Sequence, residues 1–446
     1  MGAMHGGAHR SLLTNRNGAN KPGGRTGVWE IRLGRGEHGQ KVVGGLTLYV
    51  RLIAYQTKEL STSLFIGVDE EALHGIGAEF GEDSNPPMAI DGDLLLARGL
   101  VKSSDENLLI LAVAFRFQCF HHRVYYVVYN AQDSSLTMVP CPPQPSVCQT
   151  SGSQTPLSVL RPDGGIQLLL MTQKLVPPTL EQAKMGEVED TYEDVLCVWS
   201  PEVEVPAEDS FYPWRVHQRR IPEPVKYFFL PEVMFHFQGK AFFVDLSQGI
   251  QYCNLPTANG STVDFEFKAL PSEIPKDFIW EKNELQDIVP MSMNRAMRCV
   301  NGQIMFACIV RGSAELGDGM LSTWTMNLAT KEWSKQGELK VCDLWLRTDR
   351  KGLPKKEPKC PVLLPNGSLC LLVPSMRKMV QDPSDDFIFN IDPVTLSIEW
   401  SGCLRDYFCT GPTILDSNFF KELHPPSSVE LKGGVFMSKL TVGDDR

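Results

Sequence analysis

The sequence predicts an all-β protein, a β-propeller-like repeat of antiparallel four-stranded sheets with long inserted loops. Three observations predict it. A glycine-turned hairpin recurs four times, a second strand pair with a polar turn accompanies each hairpin, and the hairpin glycines fall at near-regular spacing.

The hairpins read as apolar residues, a turn ending in Gly, then apolar residues again. They are Leu160-Arg-Pro-Asp163-Gly164-Gly165 before Ile166–Leu170, and Met234–Phe237 turning at Gln238-Gly239 into Lys240–Val244. The other two turn at Asn301-Gly302 into Gln303–Phe306 and at Asn366-Gly367 into Ser368–Val373. Asn-Gly and Asp-Gly supply the positive φ angles that tight hairpin turns demand. Gly239, Gly302 and Gly367 lie 63 and 65 residues apart, and Gly165 lies 74 before the first of them. These intervals exceed a usual blade of roughly 40–50 residues, so long loops must be inserted.

The second unit is an apolar strand ending in Asn, Asp or Ser, a short polar turn, and a strand that often carries Trp. Examples are Val127–Asn130 before Leu136, Leu196–Ser200 before Trp214, and Phe243–Asp245 before Ile250. Thr325–Asn327 before Trp333 and Phe389–Asp392 before Trp400 complete the set. Other antiparallel architectures also carry glycine turns and periodic strands, and ring closure cannot be read from this grammar.

Earlier in the chain, Leu46–Tyr55 and Leu64–Val68 are strand candidates, and Asp69–Leu73 could open a short helix capped by Asp69. Residues 1–44 read as a flexible, basic, Gly-rich head, 45–435 as the propeller-like body and 436–446 as a tail. The first twenty-nine residues hold no Asp or Glu but carry Arg10, Arg16, Lys21 and Arg25. A disordered tail and an organelle transit peptide both fit that composition.

Of the 446 residues, 42% are hydrophobic and 22% charged, which suits a folded chain. The net charge of −10 argues against general nucleic-acid binding, which rests on neutralising phosphates with a basic face. The best uninterrupted apolar run, Leu108–Phe115, is closed by Arg116 after eight residues, so a buried strand is expected rather than a membrane span. The twelve cysteines are scattered from Cys119 to Cys409 with no Cys-x-x-Cys pair, which suggests free thiols in a reducing compartment. The expected location is cytoplasmic or nuclear, or an organelle if the basic head is a transit peptide.

Motifs for chemistry are weak. Gly34-Arg-Gly36-Glu-His-Gly39 spells G-x-G-x-x-G, but Lys41–Val50 after it is a strand pattern, not the helix that holds a pyrophosphate. Cys119, His121 and His122 form the one close Cys/His cluster, without a partner pair at zinc spacing. No Gly-x-Ser-x-Gly elbow or His-Glu-x-x-His helix occurs. No catalytic residue, cofactor or metal ligand is therefore assigned.

Two basic patches are the candidate interaction surface. Arg215, His217 and Arg219 alternate along an expected strand, so they would share one face and could meet an anionic partner. Arg347, Lys351, Lys355 and Lys356 belong to an expected loop from Arg347 to Lys359, broken by Pro354 and Pro358.

Two stretches resemble a known family. Leu230–Leu255, with its Phe235-His-Phe-Gln-Gly-Lys-Ala-Phe-Phe-Val-Asp245 hairpin, is one. Leu344-Trp345 followed by Pro361–Val373 is the other. They are similar to a plant family of uncharacterised proteins, greatly expanded in grasses, whose core resembles F-box-associated propellers. The likeness spans roughly residues 195–405. It implies a plant source and an interaction role, and transfers no site; the Leu/Pro-rich F-box segment itself is not found. The expectation is a non-enzymatic protein-interaction module of unknown partner, with the loops at 141–157, 186–194 and 345–360 as its display surface. The alternative is a hydrolase-type enzyme with an unrecognised site in the propeller channel.

Overall fold

In the computed structural model the described residues are almost entirely strand, arranged as a series of small sheets, so the propeller-like class read from the sequence is the one observed. The structure describes, apart from some turn residues, the spans 27–35, 46–54, 60–68, 72–78, 96–140, 155–176, 191–201, 213–221, 229–274, 291–310, 319–347, 358–373, 386–404, 414–415 and 436–440. The chain divides into two compact units, Met1–Cys141 with Thr413–Arg446, and Pro142–Pro412.

In the first unit, β1 (Gly27–Arg35), β2 (Leu46–Ala54) and β3 (Leu60–Val68) pair antiparallel in chain order. β26 (Phe436–Leu440) joins β3 in parallel, and β25 (Ile414–Leu415) pairs with β26. Two of these strands fall in spans read above as head and tail. The second sheet is the antiparallel meander β4 (Leu96–Asp105), β5 (Leu108–Phe117), β6 (His121–Asn130) and β7 (Ser135–Pro140). Leu108 to Val113 are all buried, so the longest apolar run is a strand covered on both faces. Strand β2 follows the glycine-rich 34–39 segment, as the sequence pattern required. Helical positions occur at Ala72, His74, Gly75, Ile76 and Ala78, beside the expected helix start.

The second unit holds four sheets. The first is β8 (Leu157–Leu160), β9 (Ile166–Val176), β10 (Thr191–Trp199) and β11 (Arg215–Arg220), with β15 (Thr262–Asp264) added at its outer edge. The second is β12 (Val233–Phe237), β13 (Lys240–Asp245), β14 (Gly249–Asn254) and β16 (Glu266–Ala269). The third is β17 (Arg295–Val300), β18 (Gln303–Val310), β19 (Met320–Asn327) and β20 (Glu332–Lys340). The fourth is β21 (Lys359–Leu363), β22 (Leu369–Val373), β23 (Asp386–Ile391) and β24 (Ile398–Leu404). First strands neighbour one another in the order β8, β12, β17, β21, as the inner strands of propeller blades do.

Alternate side chains explain the stacking. In β13, Ala241 and Phe243 join Leu196, Leu169 and Met171 of the preceding sheet. Phe242 and Val244 point the other way, toward Ile304, Phe306 and Cys308 of the following sheet. In β18, Met305, Ala307 and Ile309 in turn meet Leu369, Leu371 and Val373. A strand covered on both faces must be apolar at consecutive positions, which is why these segments lack an alternating pattern.

The turns hold the register. Asn301 and Gly302 have φ of +47° and +76°, the pair of left-handed residues a two-residue hairpin needs. Strand-terminal acids and amides fix the next turn: Asn327 Oδ1 accepts from the Ala329 amide at 2.9 Å, and Asp392 Oδ1 from the Thr395 amide at 2.7 Å. The buried Asp245 carboxylate accepts from the backbone amides of Leu230 and Ser247, the Ser247 hydroxyl and the Gln248 side-chain Nε2 at 2.5–3.0 Å. Arg295 Nη1 donates to the Leu246 carbonyl at 2.8 Å, tying the start of β17 to that same turn. The helix Val341–Arg347, which follows β20, is not anticipated by the sequence pattern.

Gly249 is fixed by space. A Cβ there would lie 2.3 Å from the Lys268 carbonyl oxygen and 2.9 Å from the Ala269 Cα, both backbone atoms that cannot yield. Gly249→Ala is expected to destabilise the protein by about 2–3 kcal/mol in a urea titration, as backbone displacement does. Gly302→Ala, with open space around its Cβ position, should cost only about 1 kcal/mol, the left-handed backbone term alone.

Candidate functional site

Arg215, His217 and Arg219 do share one face of β11. Register decides which way it points: Arg215 pairs with Val198 and His217 with Leu196, and both partners lie in the apolar cluster between the first and second sheets of this unit. The cationic face therefore turns inward against the second sheet, not outward as the sequence suggested. His217 is 1% exposed and the Arg219 side chain 4%. Arg215 is half-buried, while Gln218 and Arg220 on the opposite face are exposed.

Arg219 bridges the two sheets. Its Nη2 donates to Gln251 Oε1 at 2.5 Å, on β14, and Nη1 lies 3.9 Å from Asp194 Oδ1, on β10. The guanidinium sits 5.0 Å from the centroid of the Phe265 ring, a cation–π contact made in a desolvated setting. Asp194 is held in turn by Gln173 Nε2 at 3.1 Å. Arg219 Nε, Gln251 Nε2 and His217 Nδ1 are buried without a protein partner.

Burial pulls the Arg219 pKa down to about 10, opposed by Asp194 and then Cys253, and the side chain remains a cation at neutral pH. Burial pushes the Cys253 thiol up to about 12, against the pull of Arg219 and Lys240. A thiol so placed stays protonated and is not a nucleophile. The His217 pKa is lowered by burial and then by Arg215, with a hydrogen bond to the Gly260 backbone acting the other way. The cluster thus combines a neutral imidazole, a protonated thiol and a paired guanidinium, which is the chemistry of a joint between sheets.

The second joint is exposed. Lys331 pairs with Glu266, which accepts from the Tyr252 hydroxyl at 2.9 Å; Trp333 Nε1 donates to the Ala269 carbonyl at 2.9 Å; and Lys335 Nζ lies 3.2 Å from Glu273. Contacts step in the same direction along both segments, so the third sheet repeats the orientation of the second. The sequence flagged Trp333 as a repeat feature without showing that its indole ties two sheets.

For the other basic patch, Arg347 is the last residue of a helix rather than the start of a loop, and Lys359 opens β21. Lys351, Lys355 and Lys356 lie outside the described residues, as do Cys119 and the His121 and His122 side chains. The acidic segment 186–194 is also shorter than expected, because Thr191–Asp194 belong to β10. Among the described residues no group of His, Cys, Asp and Glu could hold a metal ion, and no helix is long and apolar enough to cross a membrane.

Arg219→Ala should cost about 2–4 kcal/mol, since it strands Gln251 and removes a buried charge. Arg220→Ala, which breaks a 3.7 Å pair exposed on both sides, should stay within about 0.5 kcal/mol. Differential scanning calorimetry of both variants checks the contrast. His217, whose folded pKa lies below the ordinary 6.5, contributes stability that is complete above that value and falls as pH drops through the folded pKa. His217→Leu should flatten the loss of denaturation midpoint expected between about pH 7.5 and 5.

Residues 243–380 match the family described as "Protein of unknown function (DUF1618)". No curated protein matches the chain. The solved structures that match are distant. The β-propeller domain of the Trilobed protease from Pyrococcus furiosus is 8% identical, TM-score 0.31, over 71% of this chain and 74% of that one. The WD40 domain of SCAP from fission yeast is 11% identical, TM-score 0.30, over 82% and 75%. The α-L-arabinofuranosidase from Lactobacillus brevis is 11% identical, TM-score 0.25, over 68% and 88%. Likenesses at this level carry no functional argument, and the sheet order described above stands on its own.

Proposed function

We propose that this protein is a non-enzymatic interaction module whose stacked sheets present their longer connections, from one end of the second unit, to a protein partner. The observation that carries this reading is an asymmetry of connection length. In an antiparallel four-stranded sheet, the first and third turns lie at one end; the second turn and the link to the next sheet lie at the other. The first end is closed by pairs such as Gln238-Gly239 and Asn301-Gly302 and by the tight turn after Asn327. Its exceptions are the connection from Ser200 to Trp214 and the one from Asn254 to Glu266, which carries β15; at the second end, the turn after Asp245 is tight. The second end carries the connections 177–190, 221–232, 270–294, 311–319, 341–358 and 374–385.

The display segments read from the sequence, 141–157, 186–194 and 345–360, overlap three connections of that second end. These are 141–156, which leads into β8, 177–190, which joins β9 to β10, and 341–358, which joins β20 to β21. Strands whose side chains are used in sheet-to-sheet packing leave such connections as the variable part of the surface. A partner is proposed, and its identity is left to experiment.

Affinity purification of the tagged full chain, with mass spectrometry, tests the proposal. A stoichiometric partner is expected that is lost when 142–154, 178–189 and 348–357 are shortened together, and kept when the opposite end is altered by Thr330→Ala. A protein that is recovered alone, or a partner indifferent to the shortened connections, would overturn it and direct attention to small-molecule ligands.

A further inference from the structure

We propose that Arg219 and Gln251 hold a small inorganic anion, of the chloride class, in the seam between the first and second sheets of the second unit. Gln251 of β14 pairs with Phe243 of β13, which packs on the first sheet, so its side chain turns the same way and meets Arg219 of β11. The contact is incomplete. Arg219 Nη2 donates to Gln251 Oε1 at 2.5 Å, but Arg219 Nε and Gln251 Nε2, the nitrogens beside that bond, have no acceptor in the protein. Both are N–H donors. Nε and Nη2 form one edge of the guanidinium, the kind of edge a carboxylate takes with two parallel bonds. Here an amide stands where a carboxylate would, and its nitrogen presents a second donor instead of a second acceptor. One acceptor set between the two nitrogens satisfies both.

Burial makes the shortfall costly. The Arg219 side chain is 4% exposed and Gln251 0%, so a donor left unmatched there, above all on a charged group, loses its hydration outright. Charge then selects an anion over water. Arg215 and Arg219 both face this seam. Among the described residues Asp194 is the carboxylate on the same face; it lies 3.9 Å from Arg219 Nη1, is 41% exposed and also bonds Gln173. Asp264 pairs with Arg220 on the opposite face, and the Cys253 thiol, pushed up to about 12 by burial, supplies no negative charge at neutral pH. Two guanidinium groups thus face one partly hydrated carboxylate. An anion beside Arg219 balances the second, and bonds from a charged donor are the stronger kind. His217 Nδ1 is the third unmatched nitrogen here. The imidazole is bonded to the Gly260 backbone through its other nitrogen, so neutral Nδ1 is an acceptor and lies outside the anion's shell. Full burial restricts the ligand to a monatomic or similarly small anion.

Bromide and chloride are the probes. In crystals of the full chain grown in bromide, an anomalous peak is expected within hydrogen-bonding reach of both Arg219 Nε and Gln251 Nε2. In solution at about pH 7.5, the urea-unfolding constant should fall roughly tenfold for each tenfold rise in chloride above its dissociation constant, with gluconate making up the ionic strength. Gln251→Glu, which gives the guanidinium edge its second acceptor, should lose that dependence. Arg220→Gln, on the opposite face of β11, should keep it. Density at the seam without a bromide signal is a water and would overturn the proposal. So would equal stability in chloride and gluconate, or a chloride dependence that survives in Gln251→Glu. Should that variant fail to fold, the bromide peak and the chloride dependence of the unaltered protein decide the matter.

Discussion

Every sheet of the second unit with a neighbour on each side is apolar on both faces, and the rest of its structure follows from that constraint. A sheet with one wet face alternates apolar and polar residues; β13 and β18 do not, because Phe242 and Phe243, or Phe306 and Ala307, serve different interfaces. Such strands cannot be stable singly, since each side chain needs a neighbouring sheet to cover it. Stacking answers that need, and polar groups are left for the turns, the edges and the joints. Asp245, Asn327 and Asp392 work at turns, Trp333 and Lys331 at an exposed joint, and Arg219 with Gln251 at a buried one.

The parts of the fold legible in the sequence are those set by local chemistry. Asn301-Gly302 announces its hairpin because few other residue pairs accept two positive φ angles, and the strand-ending Asp245, Asn327 and Asp392 announce theirs by accepting nearby amides. What stayed hidden depends on distant neighbours. Alternation showed that Arg215, His217 and Arg219 share a face, but charged side chains are usually exposed, and only the register with Leu196 and Val198 turns that face inward. β15 is three residues long, too short for any periodicity, and its partner strand is more than forty positions away. The helix Val341–Arg347 was submerged in a segment read by its prolines and lysines.

On the function proposed above, a scaffold of this kind would separate stability from recognition. Changes along the strands are felt across two interfaces, whereas the longer connections enter the apolar clusters at single points such as Ile274 and Leu344. The Arg219 joint belongs to the first category, although its composition invited the second reading.

The central claim is that consecutive residues of one strand serve different interfaces, and a pair of double-mutant cycles tests it most directly. Phe242 and Phe306 lie in one apolar cluster, and Phe243 lies in another with Leu196. Combining Phe242→Leu with Phe306→Leu should give a coupling of about 0.5 kcal/mol or more, while Phe243→Leu with Phe306→Leu should be additive within about 0.3 kcal/mol. Coupling of Phe243 to Phe306, or additivity of Phe242 with Phe306, would contradict the account.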